Sequence, residues 1–178
     1  SAGLYLQADT QWTGKVRTVI GMRGDLYDVQ VDSSDAANSG SETATRPSPK
    51  LTLALGPWAR TEVYANYGWG FHSNDARGAT ITRDPMTGEP AERVDPLVRG
   101  RGAELGVRSL AVPGLHATAA VWGLDLDSEL LFVGDAGTTE PSRPSERRGV
   151  ELTADYSPRP WLQLDASYAW SRARFADE

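Results

Sequence analysis

Arg17, Arg23, Glu62, Glu104, Arg108, Glu151 and Asp155 share a pattern: each sits in a run where every second residue is apolar or small. Side chains of a strand point alternately to its two faces, so this spacing puts the charges on one face. Unpaired charge is costly to bury, so such a face needs water or a polar plug against it. The pattern describes a wet wall, not a catalytic centre. No Ser–His–Asp arrangement and no nucleophile elbow is present. His72 and His116 are far apart and lack a His-x-x-x-His spacing, and there is no cysteine, which excludes disulfide, thiolate and Cys–metal chemistry. His116 follows a tight turn and reads as a hydrated side chain. The run from Gly100 to Gly106 misses the spacing of a phosphate-binding loop, and no helix follows it. Its glycines are expected to relieve crowding where a strand curves.

Ligand chemistry has one better location. Trp69, His72, Arg77, Asp84 and Arg93 lie in or beside the longest irregular stretch, 72–98. Arginines and aromatics at the mouth of a pocket suit acidic or metal-chelate ligands. An irregular segment of this size is functional or mobile more often than not.

The elements that position these residues are strands. Leu51, Leu53 and Leu55 alternate with Thr52 and Ala54; Gly56, Pro57 and Trp58 interrupt the run; Val63, Ala65, Tyr67, Trp69 and Phe71 then alternate with Glu62, Tyr64, Asn66, Gly68 and Gly70. The same design recurs along the chain, in Leu4–Trp12, Val16–Leu26, Arg101–Leu110, Leu115–Val121, Val150–Tyr156 and Leu162–Trp170. Trp122, Leu124 and Leu126 fall out of phase, which predicts a bulge or a change of environment near Trp122–Gly123. The expected fold is all-β: an antiparallel up-and-down meander of about eight strands, with no helix.

The connections alternate between short turns and long polar loops, the long ones being Asp32–Pro47, His72–Val98 and Gly134–Arg147. In a meander every second connection falls at the same end, so one end has only turns and the other only loops. Transmembrane β-barrels have this asymmetry. Trp12, Trp58, Tyr156 and Trp161 sit near the short turns, while Tyr67, Trp69, Phe71, Phe132, Tyr168 and Trp170 sit toward the loops. Two aromatic belts around a band of Leu, Val, Ala and Ile fit a bilayer.

The bulk numbers constrain the reading without deciding it. The chain has 178 residues and a formal net charge of −6, which disfavours a nucleic-acid partner. No apolar run approaches the roughly 20 residues of a membrane helix, but that test is blind to barrels, where only alternate residues meet lipid. A soluble lipocalin-like barrel binding a small apolar ligand alternates in the same way, with its apolar face inward. A smaller self-contained outer-membrane barrel with a structural or adhesive role is the other alternative.

The segments SPKLTLALGPWARTEVYANYGWGFHSNDARG, VRGRGAELGVRS and RRGVELTADYSPRPWLQLDASYAWSRARF resemble, in this order, the barrel of TonB-dependent outer-membrane receptors. The resemblance spans nearly all of residues 1–178 and implies part of a larger transmembrane barrel. It implies a Gram-negative outer-membrane location, lipid and lipopolysaccharide around the barrel, and uptake of a scarce ligand such as a ferric siderophore. It implies no enzymatic activity and no cofactor. Its partners would be a plug domain and the TonB complex, neither of which lies in this sequence. Arg17, Arg23, Glu62, Glu104, Arg108, Glu151 and Asp155 would then face the lumen and plug, and Trp69, His72, Arg77, Asp84 and Arg93 the extracellular ligand. Ser1-Ala2-Gly3 leads directly into a strand and the end breaks off in mid-pattern, so a longer parent protein is expected. Asp125, Asp127, Glu129 and Asp135 could gather a calcium ion, but without the EF-hand spacing they are expected to be charges near the lipopolysaccharide zone, with no metal bound.

Overall fold

The computed structural model describes residues 1–128, 130–133, 138–141 and 143–176, with no side-chain description for 129–142. Eight strands form one antiparallel sheet: β1 (Ala2–Thr13), β2 (Val16–Val31), β3 (Gly40–Trp58), β4 (Thr61–Ser73), β5 (Leu97–Ser109), β6 (Leu115–Leu126), β9 (Ser145–Arg159) and β10 (Leu162–Phe175). Their order in the sheet is their order in the chain, and β7 (Leu130–Val133) and β8 (Thr138–Pro141) make a separate hairpin between β6 and β9. β1 and β10 are not paired with each other, so the sheet is open at both edges. A closed eight-stranded barrel, soluble or membrane-borne, is therefore not what this chain forms.

The ladders put Leu6, Met22, Leu53, Ala65, Leu105, Val121, Val150 and Trp170 on one face. This apolar face is not a core. Leu51 and Leu105, on interior strands, are 45% and 55% exposed. The molecule exposes 11958 Å², whereas a compact globular chain of 19.2 kDa exposes roughly 8,400 Å². A lipocalin-like arrangement would bury these leucines, and that alternative fails here. Trp12, Trp58 and Trp161 at one end, and Tyr67, Trp69, Tyr168 and Trp170 toward the other, are all exposed. Phe132 lies outside the residues whose side chains are described.

The eight strands run 12 to 19 residues, longer than the 9–11 that cross a bilayer's hydrocarbon. The excess lies at the long-loop end and corrects two expected boundaries. Asp32–Pro47 is not an aperiodic loop: β3 begins at Gly40, and pairing runs unbroken from Val31↔Gly40 to Val16↔Leu55. A strand with polar side chains on both faces has no apolar period to detect, yet its backbone pairs as well as any other. At the next connection, β4 runs on to Ser73 and β5 begins at Leu97. Between them lies a short helix, α1 (Ala76–Thr80), where no helix is expected from the sequence.

No bulge occurs at Trp122–Gly123, since the β5–β6 register is continuous from Gly100↔Leu126 to Ser109↔Ala117. The alternative, a change of environment, describes what is there. Trp122, Leu124 and Leu126 stay in phase on the polar face, where glycines make room for them. A Cβ on Gly149 would come within 2.5 Å of the Trp122 ring, and one on Gly100 within 2.8 Å of the Leu126 side chain. The register shifts fall at the short turns instead, between Gln11 and Thr13, Leu55 and Trp58, and Leu162 and Leu164. Sheet rims are where bulges concentrate.

Candidate functional site: the polar face and the loop end

All seven residues assigned to a wet wall do share the polar face. Cross-strand neighbours there include Arg17↔Ala54↔Tyr64, Asn66↔Glu104↔Trp122, Glu62↔Arg108↔Thr118, Ala120↔Glu151 and His116↔Asp155. Most of the charges have partners: Arg108 donates to Glu62 at 2.7 Å, Arg23 to Asp25 at 2.7 Å, and Arg17 lies 3.7 Å from Asp9. Lys50 lies over the Tyr5 ring at 5.0 Å. Two hollows open on this face. One of about 590 Å³ is lined by Lys50, Thr52, Asn66, Glu104, Trp122 and Glu151, and one of about 290 Å³ by Arg17, Tyr64, Arg108 and Thr118. The buried Trp122 Nε1 has no hydrogen-bond partner among the described residues.

The loop between β4 and β5 is a built structure. Asp75 caps α1, its carboxylate accepting from the Arg77 amide at 2.9 Å, and the Arg77 side chain returns to the same carboxylate at 2.6 Å. That guanidinium holds the Asp75 carboxyl below its ordinary range. Asp84 accepts from the Met86 and Thr87 amides at 2.7 and 3.0 Å, which closes a turn and holds its carboxyl low as well. Ala79, Thr80, Val94, Leu97 and Val98 are buried together at this end.

Two residues that sequence reasoning passed over fasten this unit to β2 and β3. Asn38, in the turn between β2 and β3, donates to the Arg83 carbonyl at 2.8 Å and accepts from the Thr82 and Arg83 amides at 2.9 and 3.0 Å. Arg46 on β3 donates to the Leu97 carbonyl at 3.0 and 2.8 Å. Both lie in the segment read as loop, and no local period marks a side chain whose partners are about 50 residues away.

The five ligand candidates do not form one surface. Trp69 is on the apolar face, edge-on to Tyr67 at 6.5 Å and under the Arg99 guanidinium at 5.9 Å. His72 is on the opposite, polar face, level with Val98. Arg77 and Asp84 are engaged in holding the loop's shape, and Arg93 is exposed. Among the described residues no group of carboxylates and histidines could hold a metal ion. Of the calcium candidates, Asp125 pairs with Arg101 at 2.9 Å, and the Asp127 amide donates to the Arg99 carbonyl. Glu129 and Asp135 fall outside the residues whose side chains are described.

A family model described as "TonB dependent receptor-like, beta-barrel" matches residues 1–178. A search of curated proteins finds no match to this chain. Among solved structures, the copper transporter OprC superposes with a TM-score of 0.77 at 19% identity, over 98% of this chain and 28% of that one. The alcaligin outer-membrane receptor FauA from Bordetella pertussis gives 0.72 at 17% identity, over 98% and 30%. The FrpB iron transporter from Neisseria meningitidis gives 0.71 at 16% identity, over 97% and 25%. The chain thus spans between a quarter and a third of the length of these structures.

Proposed function

Because this chain belongs to the TonB-dependent receptor β-barrel family, we propose that it is an arc of an outer-membrane barrel that admits a scarce nutrient, a ferric siderophore or another metal chelate. The observation that carries this reading is the open sheet with one exposed apolar face and one hollowed polar face. Lipid covers the first, and the second lines a lumen that the remainder of the barrel and a plug would complete. Arg17, Arg23, Glu62, Glu104, Arg108, Glu151 and Asp155 face that plug and the water around it. Trp122 lines the larger hollow, with its Nε1 buried and unpartnered among the described residues. At the mouth, His72 and Arg93 meet the ligand, while Arg77 and Asp84 shape the loop. Trp69 belongs to the outer aromatic belt. Energy would come from the TonB complex, acting on the plug. The chemistry is binding and passage, with no covalent step.

The printed descriptions of the neighbours, an alcaligin receptor, an iron transporter and a copper transporter, support metal chelates as the ligand class. The test uses the full-length receptor in a strain lacking its own uptake systems, supplied with radiolabelled ferric chelates. Uptake is expected to require the β4–β5 loop, so deletion of residues 76–94 should abolish it while barrel insertion persists. Undiminished uptake by that deletion would overturn the loop's role. Loss of no chelate's uptake on removing the whole gene would overturn the transport reading.

A further inference from the structure

Large side chains on the hollowed face lie down on the sheet. A strand's side chains ordinarily stand roughly perpendicular to it. Here Tyr64, Trp122, Leu126 and Lys50 each reach sideways onto a glycine of the neighbouring strand. In every case that glycine is the residue directly opposite in the ladder: Gly106, Gly149, Gly100 and Gly21 respectively. A Cβ on Gly106 would collide with the Tyr64 ring. One on Gly149 would come within 2.5 Å of the Trp122 ring, one on Gly21 within 2.6 Å of the Lys50 chain, and one on Gly100 within 2.8 Å of Leu126. The Arg108 guanidinium, itself paired with Glu62, lies over the same Tyr64 ring at 5.7 Å. Among the described residues the apolar face has no such pair. Its strand glycines, Gly24 and Gly123, lie under no side chain: an added Cβ would meet nothing within 4 Å at the first and only a backbone carbonyl at 3.9 Å at the second.

Glycine inside a strand weakens it, because it has no side chain to pack and more backbone freedom to lose. Glycines placed under large neighbours on one face only need a reason that belongs to that face. An upright ring on the outer face costs no space that matters, whereas one on the inner face narrows the lumen. We infer that Gly106, Gly149, Gly100 and Gly21 are clearance positions: they let the large inner side chains fold onto the wall, so that whatever fills the lumen can shift past it during passage. The inference rests on the transport reading above. These glycines are positioning residues, acting through the side chains that cover them and not by touching the ligand. Both hollows border a folded-down ring, Tyr64 at the smaller and Trp122 at the larger. A ring laid over a glycine also covers backbone, and that packing role is the competing explanation. The two differ in one respect: if clearance matters, removing the ring repairs the damage done by adding a Cβ, and if packing matters, it does not.

Gly106 is the place to test this. A Cβ on Gly149 would also press on the Trp170 carbonyl at 2.7 Å, whereas the nearest neighbours of one on Gly106 all belong to the Tyr64 side chain. The experiment uses the full-length receptor in a strain lacking its own uptake systems. Radiolabelled ferric citrate, ferric tris-acetohydroxamate and ferric tris-catecholate are supplied, and the variants are measured with the chelate that the wild type takes up fastest. Surface binding is read in de-energised cells and uptake in energised ones, both per inserted barrel, so a variant that inserts less is still read. G106A is expected to keep surface binding within about twofold and to lose uptake rate by about fivefold or more. Y64A/G106A should recover at least about half of the wild-type rate. G100A and L126A/G100A should repeat the pattern nearer the mouth. Uptake by G106A at the wild-type rate would overturn the inference. So would equal slowing of G106A and Y64A/G106A, or loss of surface binding by G106A in proportion to uptake. A wild type that takes up none of the three chelates would instead fail the transport reading, and the inference with it.

Discussion

The two ends of the sheet solve the same problem by different means. At the short-turn end the backbone does the work: three register shifts and tight turns reverse the chain, and Ala59 and Arg60 both adopt positive φ, 47° and 61°. At the loop end side chains do it, through Asn38, Arg46 and the buried cluster around Leu97. A two-residue hairpin of this type needs positive φ at both central positions to match the twist of its strands. A connection of more than twenty residues has no such backbone rule and must be held by contacts distant in sequence. The short-turn end should therefore be sensitive to backbone conformation, and the loop end to the loss of single side chains.

The largest expected effect is at the loop end. Leu97 is fully buried, and Leu97→Ala should loosen the loop unit by about 3 kcal/mol. Amide exchange across 76–98 should accelerate by about two orders of magnitude while the strand centres keep their protection. Equal acceleration throughout the sheet would erase the distinction between the ends. Asn38→Ala comes next, at about 2 kcal/mol, because it leaves the Arg83 carbonyl and two amides without their partner. Protease nicking within 76–94 of the folded protein is the readout, and an unchanged nicking rate would refute the fastening role.

At the turn end the sign reverses. Arg60→Gly removes the steric cost of a left-handed residue and should raise stability by about 1 kcal/mol, read as a higher denaturation midpoint in detergent. A lower midpoint would mean that the Arg60 side chain matters more than its backbone. The smallest effect is pH-dependent. The Asp75 carboxyl has a lowered pKa in the folded loop, mainly through its hydrogen bond to Arg77. Its contribution is therefore present above the ordinary aspartate value, near 4, and is lost as pH falls through the folded value. Since Arg77 is exposed, solvent screens the pair and its contribution is small. Fluorescence from a probe on α1 should report fraying at low pH, and R77A should move its onset toward neutral pH.

Much of the meander was legible along the chain, because strand alternation is local. Leu51, Leu53 and Leu55, or Val63, Ala65 and Tyr67, declare their shared face through spacing alone. The polar half of β3 was not legible, since residues such as Glu42 and Arg46 lie where both strand faces are polar. Trp122 was misread in part because the glycines that accommodate it, Gly149 above all, belong to other strands. Among the ligand candidates, adjacency in sequence grouped Trp69 with His72, and the strand's own alternation placed them on opposite sides.

The order of letters alone determined which residues share a face, where the chain must turn, and that turns and loops segregate to opposite ends. Only the tertiary structure decided that the apolar side lies exposed on an open sheet, that Asn38 and Arg46 tie one loop to another, and that Tyr64 lies over Gly106. The physical reason is one of range. Alternation is set by the geometry of neighbouring residues, whereas exposure and cross-strand partnership depend on register, closure and contacts between segments far apart in the chain.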